Sequence, residues 1–237
     1  MEIKRFGSIN IALISLILLL IFWWQASVFY ESYLLLDAQD QVFFRLDPYG
    51  NALSTALNER LALIYGLDAF LDTEPISNKQ SFDDKFDRFA ANLYHSTSGI
   101  RNIVVAPGGV ASYVYPLEGN EIIKGTDLIH SPQPKFRADV ERAIKSRQIV
   151  LSEPHQMKIG IFGMFARKAI YRGDDFWGLS SVTLDIPSII EATGLKSSQP
   201  NLDMALRDSA NHVFFGNESV FNASPIIYKV VLCFIHY

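Results

Sequence analysis

The sequence predicts an α+β fold behind an N-terminal transmembrane helix, on three observations. Residues 6–30 carry no charged side chain. Two later segments repeat their apolar residues every three or four positions, which is the period of an amphipathic helix. Between residues 99 and 186, short β-branched runs alternate with turn residues, the pattern of antiparallel strands.

The uncharged run comes first. A helix of about 20 apolar residues spans a bilayer core at roughly 1.5 Å per residue, and residues 9–30 meet that length. Trp23, Trp24 and Tyr30 sit at its far end, where amphipathic rings favour the interface. Lys4 and Arg5 precede the span, while Glu31, Asp37 and Asp40 follow it. The positive-inside rule therefore puts residues 1–8 in the cytoplasm and the remainder outside. A cleaved signal peptide is the rival, but the apolar core is long and Gln25-Ala26-Ser27 is a poor small-x-small site. The expectation is a single-pass anchor in the inner membrane, with a periplasmic or extracellular domain.

The 237 residues suffice for one or two domains with a sizeable core. A net charge of -4, with no basic run beyond Lys4-Arg5, argues against a nucleic-acid partner. Cys233 is the only cysteine, so no disulfide closes within the chain and a buried thiol is expected. Asn217-Glu218-Ser219 and Asn222-Ala223-Ser224 match a glycosylation acceptor, a pattern short enough to arise by chance.

Residues 31–72 read as a helical stalk. Asp47-Pro48 is expected to kink or restart it, since proline disfavours α geometry in the residue before it. Leu53, Leu57, Leu61, Ile64, Leu67 and Leu71 then form a stripe at helical spacing. That stripe either pairs with the same helix of a second copy or faces the core of its own domain. Residues 74–79 form a surface connection by composition. Phe82, Phe86, Phe89 and Leu93 give one more helix an apolar face.

The sheet region opens with a strand over 100–106. Pro107-Gly108-Gly109 reverses the chain, with proline presetting one corner of a type II turn and glycine accepting the positive φ of the next. A second strand covers 110–115 and stops at Pro116. A helix begins at Pro134, with Phe136, Val140 and Ile144 buried. Strands follow over 148–151, 161–171 and 176–186, the last two joined by the turn Arg172-Gly173-Asp174-Asp175. Val182, Leu184 and Ile186 share one face of the last strand, while Ser181, Thr183 and Asp185 share the other. The sheet thus has a polar face suited to cupping a ligand. Residues 197–201 mark a boundary, and strands are expected over 202–207, 212–215 and 226–232.

The series "NIVVAPGGVASYVYPLEGNEIIKGTDL", "QIVLSEP", "ARKAIY", "FWGLSSVTLDI" and "ATGL" resembles the CHASE family over most of residues 50–232. The resemblance implies an extracytoplasmic sensor with a long stalk helix and two PAS-like lobes. Residues 73–196 correspond to the membrane-distal lobe and 197–237 to part of the proximal one. Such modules sit in receptors whose outputs are histidine kinases, diguanylate cyclases or cyclic-nucleotide enzymes. The end, Cys233-Phe234-Ile235-His236-Tyr237, does not resemble the family's continuation into a second span. The expectation is a truncated or frameshifted receptor with an incomplete second lobe and no output domain.

Catalytic motifs are missing from the sequence. The five histidines show no metal-ligand spacing, and there is no nucleophile elbow, H-E-x-x-H or phosphate loop. No catalytic residue, metal or cofactor is expected. Binding is expected instead, of a small molecule whose identity the sequence does not give. By the resemblance, Asp127 falls at the acidic position where plant hormone receptors of the family hydrogen-bond an adenine-type ligand, although aspartate is also a common turn residue. Leu151 aligns with an apolar pocket position, and Ser152 with a threonine. Lys158 and Ile159 depart from the small polar residues of those receptors. Arg167 either binds an anion, which its fork geometry suits, or pairs with Asp185 or Glu153. Tyr113 and Tyr115 share a strand face and either line the cavity or pack in the core. The reading is a membrane-anchored sensor, dimeric through its stalk. A decoy subunit of an intact receptor and an extracytoplasmic enzyme are the alternatives.

Overall fold

The computed structural model of the chain describes residues 3–74, 79–222 and 225–230, with side chains from residue 13 onward except those of 79 and 80. Cys233, the side chains of Lys4 and Arg5, most of the 74–79 connection and the end of the last expected strand lie outside the described residues. The chain falls into two compact units. One runs up to Pro48 and includes Ile226–Tyr228; the other runs from Tyr49 to Pro225.

Helix α1 spans Ile3–Thr73. In the first unit its large apolar side chains, from Leu13 to Leu36, are exposed. Among the described residues it is the one helix long and apolar enough to cross a membrane, with a mean hydropathy of 2.0 in its most apolar stretch. The helix does not restart at Asp47-Pro48, since both residues are helical. Proline removes one backbone donor and clashes with the preceding turn, a local cost of about 3 kcal/mol that the helical turns on either side outlast.

The second unit is built on a sheet ordered β2-β1-β6-β5-β3, with β4 also pairing with β5. Its strands are β1 (Ile100–Pro107), β2 (Tyr113–Tyr115), β3 (Val150–Leu151), β4 (His155–Gln156), β5 (Phe162–Arg172) and β6 (Asp175–Asp185). Every pairing is antiparallel. β5 and β6 form the central hairpin across the expected turn, where Gly173 takes the positive φ of 65°.

Both faces of this sheet are covered. The leucine stripe of α1, from Leu53 to Leu71, is buried. It lies with α2 (Lys79–Ser96) over the face that carries Ser180, Val182 and Leu184, as the Lys168–Asp68 ion pair shows. Helix α3 (Pro134–Ser146) covers the other face with Val140 and Ala143 buried, and Pro134 opens it as the sequence predicts. Helix α4 (Ile186–Ala192) follows β6, so Ile186 starts a helix instead of ending the strand. Its early Pro187 lacks an N–H to give to a ladder.

Two other expectations change. β2 is shorter than 110–115, because residues 109–111 turn away from β1 and bond to the segment after it. Ala111 donates to Thr126, Gly125 to Ala111 and Leu128 to Gly109. The segment expected to mark a boundary, 197–201, carries a tight hairpin, with β7 (Ser198–Gln199) against β8 (Leu202–Asp203) and Asn201 at φ 61°. A second hairpin pairs β9 (Leu206–Arg207) with β10 (Val213–Phe215). Residues 226–230 are not in a strand.

The stripe's packing gives a direct check. Leu67 is fully buried under the sheet, so Leu67→Ala should lower the unfolding free energy by about 2–5 kcal/mol in a denaturant titration.

Candidate ligand site

Strict alternation along β5 and β6 sorts the sheet's side chains. In register, Phe165 opposes Thr183, Arg167 opposes Ser181 and Ala169 opposes Leu179. Across β6, Asn102 opposes Thr183 and Val104 opposes Ser181. These residues share the face under α3. Of the three polar residues expected on one face, Ser181 and Thr183 are therefore buried beneath a helix together with Asn102 and Arg167, while Asp185 is half-buried at the strand's end.

Arg167 stands at the middle of this face and is 1% exposed. Its Cζ lies 3.8 Å from the ring centroid of Phe136, on α3, and 4.1 Å from that of Phe165. Neither expected ion pair forms. Asp185 accepts from Ser188, and Glu153 accepts from Lys135 at 2.9 Å. Among the described residues no group accepts from Nε or Nη1. Burial lowers the Arg167 guanidinium to about 9, with Asp139 of α3 opposing the shift. It remains charged at neutral pH.

Beside it, Asn102 donates to Asn120 at 3.0 Å and accepts from the Thr183 hydroxyl at 2.7 Å. Asn120 also donates to the Pro116 carbonyl. This closed network fixes β1 to the loop after β2. Ser152, just past β3, accepts from the Phe165 N–H at 2.9 Å and donates to the Glu153 carbonyl. Its hydroxyl is thus bound to backbone next to Arg167.

The remaining sequence candidates lie elsewhere. Tyr113 and Tyr115 oppose Val105 and Ile103, on the face that meets α1 and α2. Tyr113 packs against Phe82 and Phe86 at ring distances of 4.8 and 5.5 Å, and Tyr115 against Tyr94 at 5.8 Å. Leu151 opposes Ala166 on that same face. Asp127 is exposed and accepts from the N–H groups of Ile129 and His130, with the His130 ring 2.8 Å away. These bonds hold its carboxyl below the usual range, the His130 N–H first among them. Arg167 and Ser152 therefore share the α3-side face, the tyrosines and Leu151 take the opposite one, and Asp127 caps an exposed turn.

Two features lay beyond the sequence reading. Lys168 pairs with Asp68 of α1, which also accepts from the Ser180 hydroxyl. Burial raises the Asp68 pKa, and the Lys168 contact opposes it. Arg60 of α1 is buried too, donating to the Ala56 and Ser98 carbonyls. A polar residue inside a leucine stripe was the available signal for both. Glu153, Asp208 and His212 bring three candidate metal ligands within 4.8 Å of one another. Their atoms are already engaged, by Lys135 and by the turn that Asp208 caps.

Residues 108–215 match the CHASE domain family. No curated protein matches the chain. Among solved structures, the ligand-binding domain of the Pseudomonas aeruginosa PAO1 amino acid chemoreceptor PctC, in complex with GABA, superposes with a TM-score of 0.57 at 11% identity. The match covers 81% of this chain and 86% of that one. The extracellular domain of soHK1S-Z6, named for a histidine kinase, gives 0.54 at 13% identity over 80% and 76%. The ligand-binding domain of the Campylobacter jejuni chemoreceptor Tlp3, in complex with L-norvaline, gives 0.53 at 12% identity over 78% and 74%. The fold they share with this chain is a PAS-like mixed α/β fold.

Two outcomes follow from the bonding. Asn102→Ala leaves the Thr183 hydroxyl and the Asn120 side-chain oxygen without their buried partner and should cost about 1–3 kcal/mol in a thermal melt. The Asp127 cap is present above the ordinary carboxylate pKa and is lost as pH falls through its lowered folded value. Amide exchange at Ile129 and His130, normalised to intrinsic rates, should accelerate on acidification and in Asp127→Ala, but less in Asp127→Asn.

Proposed function

We propose that this chain, whose residues 108–215 match the CHASE domain family, is the extracytoplasmic small-molecule sensor of a membrane signal-transduction receptor. The observation that carries the reading is the α3-side sheet face. A plain core would fill it with apolar side chains, yet Asn102, Ser181, Thr183 and Arg167 are buried there. Few convergent polar groups inside an apolar setting are what a ligand site is made of. The neighbouring structures with bound amino acids support a ligand of that size.

In this reading residues 1–8 are cytoplasmic, 9–30 cross the membrane and 31–72 form the stalk. Residues 73–196 are the distal sensing lobe, and 197–237 contribute to a proximal one. Two stalks pair in a homodimer, and the output is of histidine kinase or cyclic-dinucleotide type. The chain acts by binding and not by catalysis, and ligand shifts the stalk between two states by no more than its differential affinity for them.

Export is tested with a surface reporter. Asp174 is fully exposed at the β5–β6 turn. In a Cys233→Ser, Asp174→Cys chain, a membrane-impermeant maleimide should label intact bacterial cells. Labelling that requires lysis would put the domain in the cytosol and end the sensor reading.

A further inference from the structure

Arg167 is a charge that the fold hides without pairing. It is 1% exposed, it lies against two phenyl rings, and its Nε and Nη1 find no acceptor among the described residues. The ring contacts steady the positive charge but offer no lone pair in the plane of the N–H fork. The carboxylate nearest in effect, Asp139, is held 2.5 Å from Arg142 and does not bond to Arg167. Protein groups alone therefore leave part of a desolvated guanidinium unsatisfied, which native folds rarely tolerate.

Resting on the sensor reading above, we propose that Arg167 is the binding centre for the carboxylate of a small organic acid, seated on the α3-side sheet face. The chemistry of the group selects this class. Guanidinium has only donors, so its partner must bring acceptors. Its planar fork matches two carboxylate oxygens. The residues beside it on the same face, Phe165, Ala169, Ser181 and Thr183, include no second cation, and Lys168 turns to the opposite face. One positive charge matches a monoanion and leaves a phosphate dianion uncompensated. The Phe136 and Phe165 rings lie over the guanidinium and put apolar surface beside its donor edge.

The test uses the full chain in detergent micelles and follows its melting temperature. Probes are butyrate, 4-aminobutyrate and succinate, with butyramide as the uncharged match, inorganic phosphate and adenine, each at about 10 mM, well above a millimolar Kd. At least one carboxylate should raise the melting temperature while butyramide does not. Arg167→Lys keeps the charge but loses the fork, and should weaken that carboxylate's affinity at least about tenfold. Arg167→Met should abolish the shift and leave the ligand-free chain at least as stable, since it removes an unpaired buried charge. Carboxylate shifts of equal size in all three proteins, no shift with any carboxylate, or a preference for phosphate would each overturn the assignment. So would a ligand-free Arg167→Met chain that melts well below wild type, which marks a structural cation. Adenine raising wild type and Arg167→Met alike, with every carboxylate silent, sinks this assignment while leaving the sensor reading standing.

Discussion

A guanidinium taken out of water needs acceptors, and the second unit is arranged around meeting that need only in part. The effective penalty for burying an ion is several kcal/mol. A desolvated cation–π contact returns about 2 kcal/mol, and each hydrogen bond to a charged group about 1.5–3 kcal/mol. Arg167 has the ring contacts without the hydrogen bonds at Nε and Nη1. Its neighbours are better matched: Asn102, Asn120 and Thr183 satisfy one another, and Ser152 is bound to the backbone of β5. Among the described residues Arg167 alone is left short at two donor nitrogens; Asp83 Oδ1 and Arg101 Nε are the other buried atoms without a partner.

Strand alternation ties that face to the helix behind the sheet. Arg167 and Lys168 are consecutive on β5, so one points to α3 and the other to α1. Lys168 meets Asp68, which also takes the Ser180 hydroxyl, and the buried leucines of α1 lie along the same surface. In the proposed sensor, a carboxylate that pulls on β5 from one side acts on the α1 contact from the other. The path is one residue long and needs no special network. Its strength is bounded by how differently the ligand binds the two states of the stalk.

Much of this fold was legible because period and turn chemistry act locally. The leucine stripe, the β5–β6 hairpin with Gly173 at its turn, and the proline at the start of α3 all sit where spacing puts them. The polar face of β6 could be read from alternation at Ser181 and Thr183. The site itself was less legible, since pairing across the sheet decides which face a residue takes. Tyr113 and Tyr115 share a face with each other but not with Arg167, and only the register with β1 reveals it. Asp127 could be read as turn or ligand residue, and three hydrogen bonds within its own turn occupy it here. Arg167's lack of a carboxylate partner was invisible, because Asp185 and Glu153 are near in sequence but bonded elsewhere.

The central claim is that a ligand binds on the α3 side of this sheet. Hydrogen–deuterium exchange of the full chain, with and without a saturating concentration of the carboxylate that raises its melting temperature most, addresses it most directly. The account predicts slowed exchange in residues 134–146 and in the middle of 162–172. Slowing confined to residues 79–115, or no change anywhere in the chain, would contradict it.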